Sequence, residues 1–383
     1  MVKYDERGRI IRVTYLRCED ICNSDDEKFA CIEIDFSNRG REKRKLYNEY
    51  GQSIYKNLGI DYIVYSFDDT GKLASKSFYD KNQRKVKDES GTAQYVYSYE
   101  TNSEKAVNVF RLNAKGDTIT TKDSIYMVRY RLIEDDYIGE TEYIYKEDNN
   151  NERVTLIKAE YDENYNLNKV SFFDKNNNLV EDKSTGSAVR EFKYDRNGNK
   201  IYLANYNKDM QLSDNKITGY AIQERFYNEY SALLKMVNRK SDKSMSQVFE
   251  YKVSGTPLRV SFLDSTSNYI INPDEGFAIL QHIIDEKFDN ILEVRFLDQN
   301  ENLIEPEKYG YAIQKAIYDE QGYLAEERYL GTDMKPRFCK KRGFSRIVYR
   351  FNEKGNQLEP LKYDCEGNLI DNKQPVDSSN ISG

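Results

Sequence analysis

Oxygen-bearing side chains at a fixed spacing are the first residues in this sequence that could do chemistry. Three stretches open Asp-x-Asn-x-Asn, beginning at Asp174, Asp195 and Asp298. An EF-hand calcium loop opens in the same way and needs a bidentate Glu at position 12 of the loop. The corresponding positions hold Thr185, Tyr206 and Tyr309. Ordinary Asx turns are therefore favoured, with weak calcium binding as the alternative and no other cofactor expected.

Nucleophilic catalysis has little to draw on, because the chain has one histidine, His282. It lies among Leu280, Ile283 and Ile284, which predicts a strand histidine that its neighbours satisfy. Carboxylates are abundant, but they recur at turns, where hydrogen bonds to backbone N–H groups already explain them. Neither a Gly-x-Gly-x-x-Gly nor a Walker pattern is present. We expect no catalytic residue and no enzymatic activity, unless one deep pocket with converging carboxylates interrupts the chain's repeats.

The cysteines do not form a disulfide framework, because they are few and odd in number. They are Cys18, Cys22, Cys31, Cys339 and Cys365. The first three could suggest a metal site, but no histidine lies near them and a fourth ligand is missing. We expect free thiols and no metal site.

A glycine followed by an aromatic residue and a small residue recurs along the second half of the chain. The aromatic residues that directly follow the recurrent glycine are Tyr220, Phe277, Tyr311 and Phe344. These four are the candidate ligand surface, and a glycan is one possible ligand. Sugar platforms commonly use Trp, however, and the chain has none. The simpler interpretation is an internal aromatic ladder that holds neighbouring segments together.

The elements that position these residues come from a repeated turn of an aromatic residue, an acid or amide, and often a later glycine. Plain copies begin at Tyr4, Phe67, Tyr194, Tyr318 and Phe351, and weaker ones at Phe36, Tyr99, Tyr130, Tyr161, Tyr227, Tyr251 and Ile284. A second turn follows about twelve residues later. This spacing predicts a single array of about twelve repeats of ~32 residues over residues 1–370. The turns at Tyr227 and Tyr251 are only 24 residues apart, so a kink or surface loop is expected at this short repeat, near residues 228–243. A flexible tail is expected at residues 371–383.

The runs between turns are short and rich in aromatic and β-branched residues mixed with charges, which is typical of half-exposed strands. Short connections between successive runs favour antiparallel pairing. One repeat cannot bury its aromatic face alone, whereas stacked neighbours can. The predicted fold is therefore all-β: an elongated antiparallel β-solenoid or spiral sheet, with a mostly tyrosine ladder inside.

Composition narrows the classes of partner. Of 383 residues, 58 are Lys or Arg and 65 are Asp or Glu, which gives a net charge of −7 with the two signs interspersed. A nucleic-acid groove or an anionic membrane surface needs concentrated positive charge, so neither partner is expected. No secretory signal is visible, and the most apolar run, near residues 277–284, is too short to span a bilayer. We expect a cytoplasmic location, unless the chain is a fragment of an exported protein.

Two stretches resemble a known repeat family. The first is Tyr4-Asp5-Glu6-Arg7-Gly8-Arg9-Ile10, and the second runs from Tyr194 to Lys200. Both are similar to the Tyr-Asp (YD) repeat of bacterial rearrangement-hotspot (RHS) proteins. The resemblance implies a spiralling β-sheet, which in that family can form a shell around a toxin or a surface-displayed stalk. This chain departs from the family, since its repeats alternate a short and a long leg and no RHS core motif or toxin domain follows residue 370. We therefore expect the β-spiral and not encapsulation.

Two functional hypotheses follow. The first is a non-enzymatic binding or scaffolding protein that presents an extended β surface to a protein partner. The alternative is a surface or secreted module that binds glycan or belongs to a toxin-delivery assembly. One irregular groove, near residues 228–243, would be the most informative feature to find.

Overall fold

The computed structural model describes residues 1–17, 20–21, 29–36, 40–100, 103–134, 137–146, 153–352 and 357–370. The chain divides into two compact units. The first unit is Met1–Tyr161 with Lys169–Asp182, and the second is Asp162–Asn168 with Lys183–Gly383.

Antiparallel strands build both units. The first unit contains β1 (Val2–Tyr4), β2 (Ile10–Thr14), β3 (Leu16–Arg17), β4 (Asp20–Ile21), β5 (Cys31–Asp35), β6 (Arg41–Tyr47), β7 (Tyr62–Phe67), β8 (Leu73–Tyr79), β9 (Gln94–Glu100), β10 (Ser103–Leu112), β11 (Ile125–Glu134), β12 (Tyr137–Tyr145), β13 (Leu156–Tyr161) and most of β14 (Leu167–Phe173). The second unit contains β15 (Val189–Tyr194), β16 (Lys200–Tyr206), β17 (Ile222–Tyr227), β18 (Leu233–Arg239), β19 (Ser246–Tyr251), β20 (Pro257–Leu263), β21 (Ile279–Ile284), β22 (Ile291–Leu297), β23 (Ile313–Tyr318), β24 (Leu324–Leu330), β25 (Arg346–Phe351) and β26 (Gln357–Tyr363).

Helical structure in the described residues is limited to one 3₁₀ turn at Lys56–Leu58. The all-β, antiparallel prediction is therefore confirmed. The solenoid of about twelve repeats, as one array over residues 1–370, stays a prediction. The tail at residues 371–383 lies outside the described residues.

The recurrent acid closes each tight turn by bonding to the backbone. In the turn from Asp195, Oδ1 accepts the N–H groups of Asn197 and Asn199, both at 2.9 Å. The N–H of Gly198 donates to the Asp195 carbonyl at 3.1 Å, with φ at +81° where glycine is least strained. The same carboxylate bonding recurs at Asp5, Asp68, Asp80, Asp162, Asp174, Asp264, Asp298, Asp319 and Asp364. The Asx-turn interpretation is confirmed.

The tyrosine that precedes such a turn fastens it to an earlier strand. The Tyr194 hydroxyl donates to the Leu167 carbonyl at 3.0 Å, and the Tyr318 hydroxyl donates to the Ile291 carbonyl at 3.1 Å. Equivalent bonds are made by Tyr99, Tyr161 and Tyr227. A phenylalanine could fill the same space but could not make this bond, so the motif's preference for Tyr has a structural cause.

The small residue after the recurrent glycine sits where no larger side chain fits. Ala188, Ala221, Ala278 and Ala312 are completely buried. The Ala312 N–H donates to the Leu330 carbonyl at 2.8 Å. At Gly310, φ is +80° and a Cβ would approach the Phe338 carbonyl oxygen to 3.0 Å. Backbone packing alone therefore accounts for the small residues that flank the aromatic position.

The core-facing side of the second unit changes chemistry along the chain. In β16 the buried Asn205 donates to the Ala221 carbonyl at 3.2 Å and accepts from Ser187 Oγ at 3.2 Å. From β20 onward, the equivalent positions carry Phe262, Phe296 and Tyr329. The interior of the second unit thus changes from a hydrogen-bonded amide at Asn205 to aromatic rings from Phe262 onward.

Candidate functional site

Three of the four predicted ligand residues lie in the core of the second unit. Phe277, Tyr311 and Phe344 are 4%, 6% and 3% exposed. They form one cluster with Phe262, Phe296, Tyr329, Cys339 and Ile347. Tyr220 is half-buried, and the ammonium group of Lys240 lies 5.5 Å from its ring centroid. This burial favours the ladder interpretation of the glycine-aromatic pattern.

The ladder is continuous across six rings. Successive centroids from Phe262 through Phe277, Phe296, Tyr311 and Tyr329 to Phe344 lie 5.7, 5.0, 5.4, 4.7 and 5.9 Å apart. These separations are within the range of favourable aromatic pairs. Four of the six residues are Phe, so the expectation of a mostly tyrosine ladder is wrong for this stretch. Burial alone does not select Phe, because Tyr329 is the most buried of the six at 1% exposed.

A charged cluster that sequence reasoning missed adjoins the ladder. Glu327 is 7% exposed. Its carboxylate accepts from the Arg342 guanidinium, from the Tyr329 hydroxyl at 3.2 Å and from the Tyr349 hydroxyl at 3.1 Å. Burial raises the pKa of Tyr329, with the Glu327 charge adding to it. The strand sequence Glu327-Arg328-Tyr329 could have indicated this cluster. Successive side chains of a strand point to opposite faces, so the Glu327 carboxyl lies on the same face as the core residue Tyr329.

His282 lies on β21 opposite Val294 of β22. It is half-buried, and this burial lowers the pKa of its imidazole. Nδ1 is buried and has no hydrogen-bond partner among the described residues. The prediction that neighbours satisfy this histidine is therefore wrong at Nδ1.

The thiols and the turn carboxylates were the candidate metal ligands. Cys31 and Cys339 are free and buried, and Cys365 is free and exposed, whereas Cys18 and Cys22 lie outside the described residues. Across the part of the chain that the structure describes, no three His, Cys, Asp or Glu side chains are arranged to hold a metal ion. The hydrogen bond from the Asn199 side chain is the largest of several that lower the pKa of Asp195, and burial opposes them. Each turn Asp thus already has backbone donors on Oδ1.

An irregular groove does occur at the short repeat. Most connections that contain a second turn are long, such as residues 207–221 and 264–278. Each folds back on the strand before it, so that Leu212 forms a β-bridge with Tyr206, and Tyr269 with Leu263. Strands β18 and β19 are instead joined by residues 240–245, where Lys243 takes φ = +61°. The expected kink or surface loop is thus wrong for most of residues 228–243, which contain β18.

This short-repeat groove has a volume of about 430 Å³, within the range of ~300–1,000 Å³ typical of ligand pockets. It is lined by Leu212, Ile222, Lys235, Val237, Arg239, Lys240, Lys243, Ser246, Val248, Leu263, Asp264, Ser265 and Ser267. Cross-strand register explains the floor, since Val237 lies opposite Val248, and Arg239 opposite Ser246. The sequence pointed to the place, but the lining comes from four strands and three connections that only the register brings together.

Three acids in and around the groove are already engaged. Glu224 binds Arg239, and Asp214 lies 3.4 Å from Lys240 and accepts the Ser241 N–H at 2.7 Å. Asp264 accepts N–H groups of its own turn. Lys235 and Lys243 are exposed and have no carboxylate within 4.0 Å among the described residues. Lys235 lies in register with Glu250 without forming an ion pair. The groove therefore combines an apolar floor with two ammonium groups that lack a partner.

A larger cleft of about 580 Å³ lies in the first unit, along β2, β5 and β6. Three of its five cations are paired: Arg9 with Asp5 at 2.7 Å, Arg12 with Glu33 at 3.2 Å and Lys45 with Asp61 at 2.9 Å. Lys3 has no carboxylate partner among the described residues, and the Lys43 ammonium lies 3.9 Å from the Tyr62 ring centroid. The short-repeat groove is the stronger candidate because it interrupts the repeat.

Tyrosine ionisation provides a pH-dependent prediction. Burial, helped by a hydrogen bond to Glu191, raises the pKa of Tyr206 to about 12, and burial with a bond to Glu275 does the same for Tyr309. An unfolded tyrosine ionises near ~10. The stabilisation is therefore complete below about pH 10 and is lost as the pH rises towards ~12, because the unfolded state releases its protons first. We expect tyrosinate absorbance to show a late class whose appearance coincides with loss of the β signal in circular dichroism. A single titration near ~10 with unchanged dichroism would contradict this.

In the described parts of the chain, no helix has both the length and the apolar character needed to cross a bilayer. No protein-family model matches the chain, and no curated protein matches it significantly.

Several solved structures are similar to this chain at low identity. The crystal structure of TcdB2-TccC3-TEV is 10% identical with a TM-score of 0.29, and the alignment covers 94% of this chain and 19% of that one. The Photorhabdus luminescens Tc holotoxin pore is 9% identical with a TM-score of 0.31, covering 87% and 15%. A eukaryotic initiation factor has a TM-score of 0.19. The chain thus spans less than a fifth of either Tc toxin chain. At these TM-scores and identities the likeness carries no argument about this chain.

Proposed function

We propose that this protein is a non-enzymatic binding or scaffolding repeat protein that presents an extended β surface to a protein partner. The observation that carries the proposal is the short-repeat groove. There the long connection of the other repeats is replaced by residues 240–245, and unpaired cations border an apolar floor. A partner protein of complementary charge can pair with these unpaired cations while its apolar residues cover the apolar floor.

Ion pairs between repeats support the same proposal, because they hold the surface in one arrangement. Glu305 binds Arg337 at 3.0 Å, and Glu275 binds Lys308 at 2.9 Å. Asp289 of one turn accepts from Lys252 and Thr256 of an earlier turn. A surface that is ordered before binding loses less conformational entropy when the partner docks.

Position-specific photocrosslinking tests the proposal. A photoreactive amino acid replaces Ser265, which is exposed and lines the groove, or the matched control Gln321, which is exposed in the turn between β23 and β24. In cells that make this protein, we expect a discrete protein adduct from position 265 and none from position 321. Equal adducts from both positions, or none from either, would reject the proposed role of the groove.

A second candidate is a toxin-delivery-associated module. The Tc toxin structures among the similar folds are consistent with it, although their low TM-scores add no weight. Glycan binding stays a prediction of the sequence. A protein adduct at position 265 separates protein binding from glycan binding, and the identity of the crosslinked protein decides between a toxin component and another partner.

A further inference from the structure

We propose that the short-repeat groove binds an extended segment of a protein partner in which acidic side chains alternate with apolar ones. This inference rests on the proposed function and specifies the chemistry of the segment that the groove accepts. The charge and the shape of the groove carry it.

The charge favours an anionic ligand. Lys235 and Lys243 border the groove without an ion-pair partner, whereas Arg239 and Lys240 are paired with Glu224 and Asp214. The overall chain carries a net charge of −7, so this border is opposite in sign to the molecule as a whole. Carboxylates placed between Lys235 and Lys243 would gain charge-assisted hydrogen bonds. Glu224, Asp214 and Asp264 are engaged elsewhere, and Glu250, opposite Lys235, forms no ion pair with it.

The floor favours a peptide over a sugar. Val237 and Val248 form its buried centre, with Ile222 and Leu263 beside them. The lining contains aliphatic side chains and no aromatic ring on which a sugar could stack. Ser246, Ser265 and Ser267 add hydroxyl groups that can bond to a peptide backbone. In an extended peptide, alternate side chains point to opposite sides, so apolar residues can meet the floor while acidic ones reach the lysines.

The probe is a dye-labelled peptide of alternating Glu and Leu, titrated with the full chain and followed by fluorescence anisotropy. We expect saturable binding that weakens as salt increases. The variant Lys235→Glu/Lys243→Glu should weaken binding about tenfold or more. The matched control is Lys341→Glu, an exposed lysine outside the groove, which should leave the affinity unchanged. Melting curves of all variants establish that they are folded.

Two further probes separate the elements of the proposal. Replacing Glu by Gln in the peptide should abolish the salt dependence and most of the affinity, and replacing Leu by Ser should weaken binding without removing the salt dependence. A sulfated oligosaccharide tests the competing ligand class and should not displace the Glu–Leu peptide from the groove. The inference is overturned if the Glu–Leu peptide does not bind, if the double reversal has no effect, or if only the oligosaccharide responds to it. A protein adduct at position 265 without peptide binding would retain the proposed function and reject the acidic segment.

Discussion

Phe296→Ala is expected to lower the free energy of unfolding by about 3–5 kcal/mol. Phe296 is almost completely buried, and its ring lies 4.7 Å from Tyr309, 5.0 Å from Phe277 and 5.4 Å from Tyr311, centroid to centroid. Truncation removes the burial of the ring and leaves a cavity that neighbouring repeats, tied by backbone hydrogen bonds, cannot close. Urea unfolding followed by far-ultraviolet circular dichroism measures the loss.

The matched control is Phe288→Ala. Phe288 is 56% exposed, in the turn between β21 and β22, so its truncation should change the free energy of unfolding by less than about 1 kcal/mol. Similar losses for both variants would show that burial in the aromatic ladder is not what stabilises the second unit.

Arg342→Ala is the second large effect, with an expected loss of about 3 kcal/mol. Without the guanidinium, the Glu327 carboxylate remains buried with two tyrosine hydroxyls as donors and no compensating charge. Glu327→Gln should cost less, because Arg342 is partly exposed and water can solvate it. The ordering of the two losses is the sensitive part of the prediction, and chemical denaturation of both variants measures it.

A double-mutant cycle separates the lost charge pair from simple truncation. Adding Glu327→Gln to Arg342→Ala removes the uncompensated charge and should recover part of the stability that Arg342→Ala loses. Lys341→Ala, at the exposed neighbouring position, should have little effect. Additive losses in the double variant would mean that the two side chains act independently.

Local chemistry made the turns and strands predictable. An Asx turn depends on residues a few positions apart, so Asp195 and Gly198 specify it without help from the rest of the chain. Short aromatic and β-branched runs between such turns indicated antiparallel strands for the same reason. The buried alanines were visible as a recurrent pattern, although their cause, close backbone packing, appears only in three dimensions.

The side chains of the site were harder to predict because they depend on register. A period of two places alternate residues on opposite faces but does not say which face is covered, so Phe277, Tyr311 and Phe344 could be placed outside or inside. Glu327 and Arg342 belong to a strand and a following loop, and no local motif joins them. The shortened repeat at residues 228–243 indicated the position of the groove. Its lining residues that are distant in sequence, such as Leu212 and Ser265, could be identified only from the fold.

Hydrogen exchange of the chain bound to its photocrosslinked partner tests most directly whether the short-repeat groove is the binding site. Peptides covering residues 235–248 and 263–267 should exchange more slowly in the complex than in the free chain. Peptides covering residues 319–330, a turn and strand β24 that are remote in sequence from the groove, should exchange at the same rate in the complex and in the free chain. Slowed exchange at residues 319–330 with no change at residues 235–248 would contradict the account.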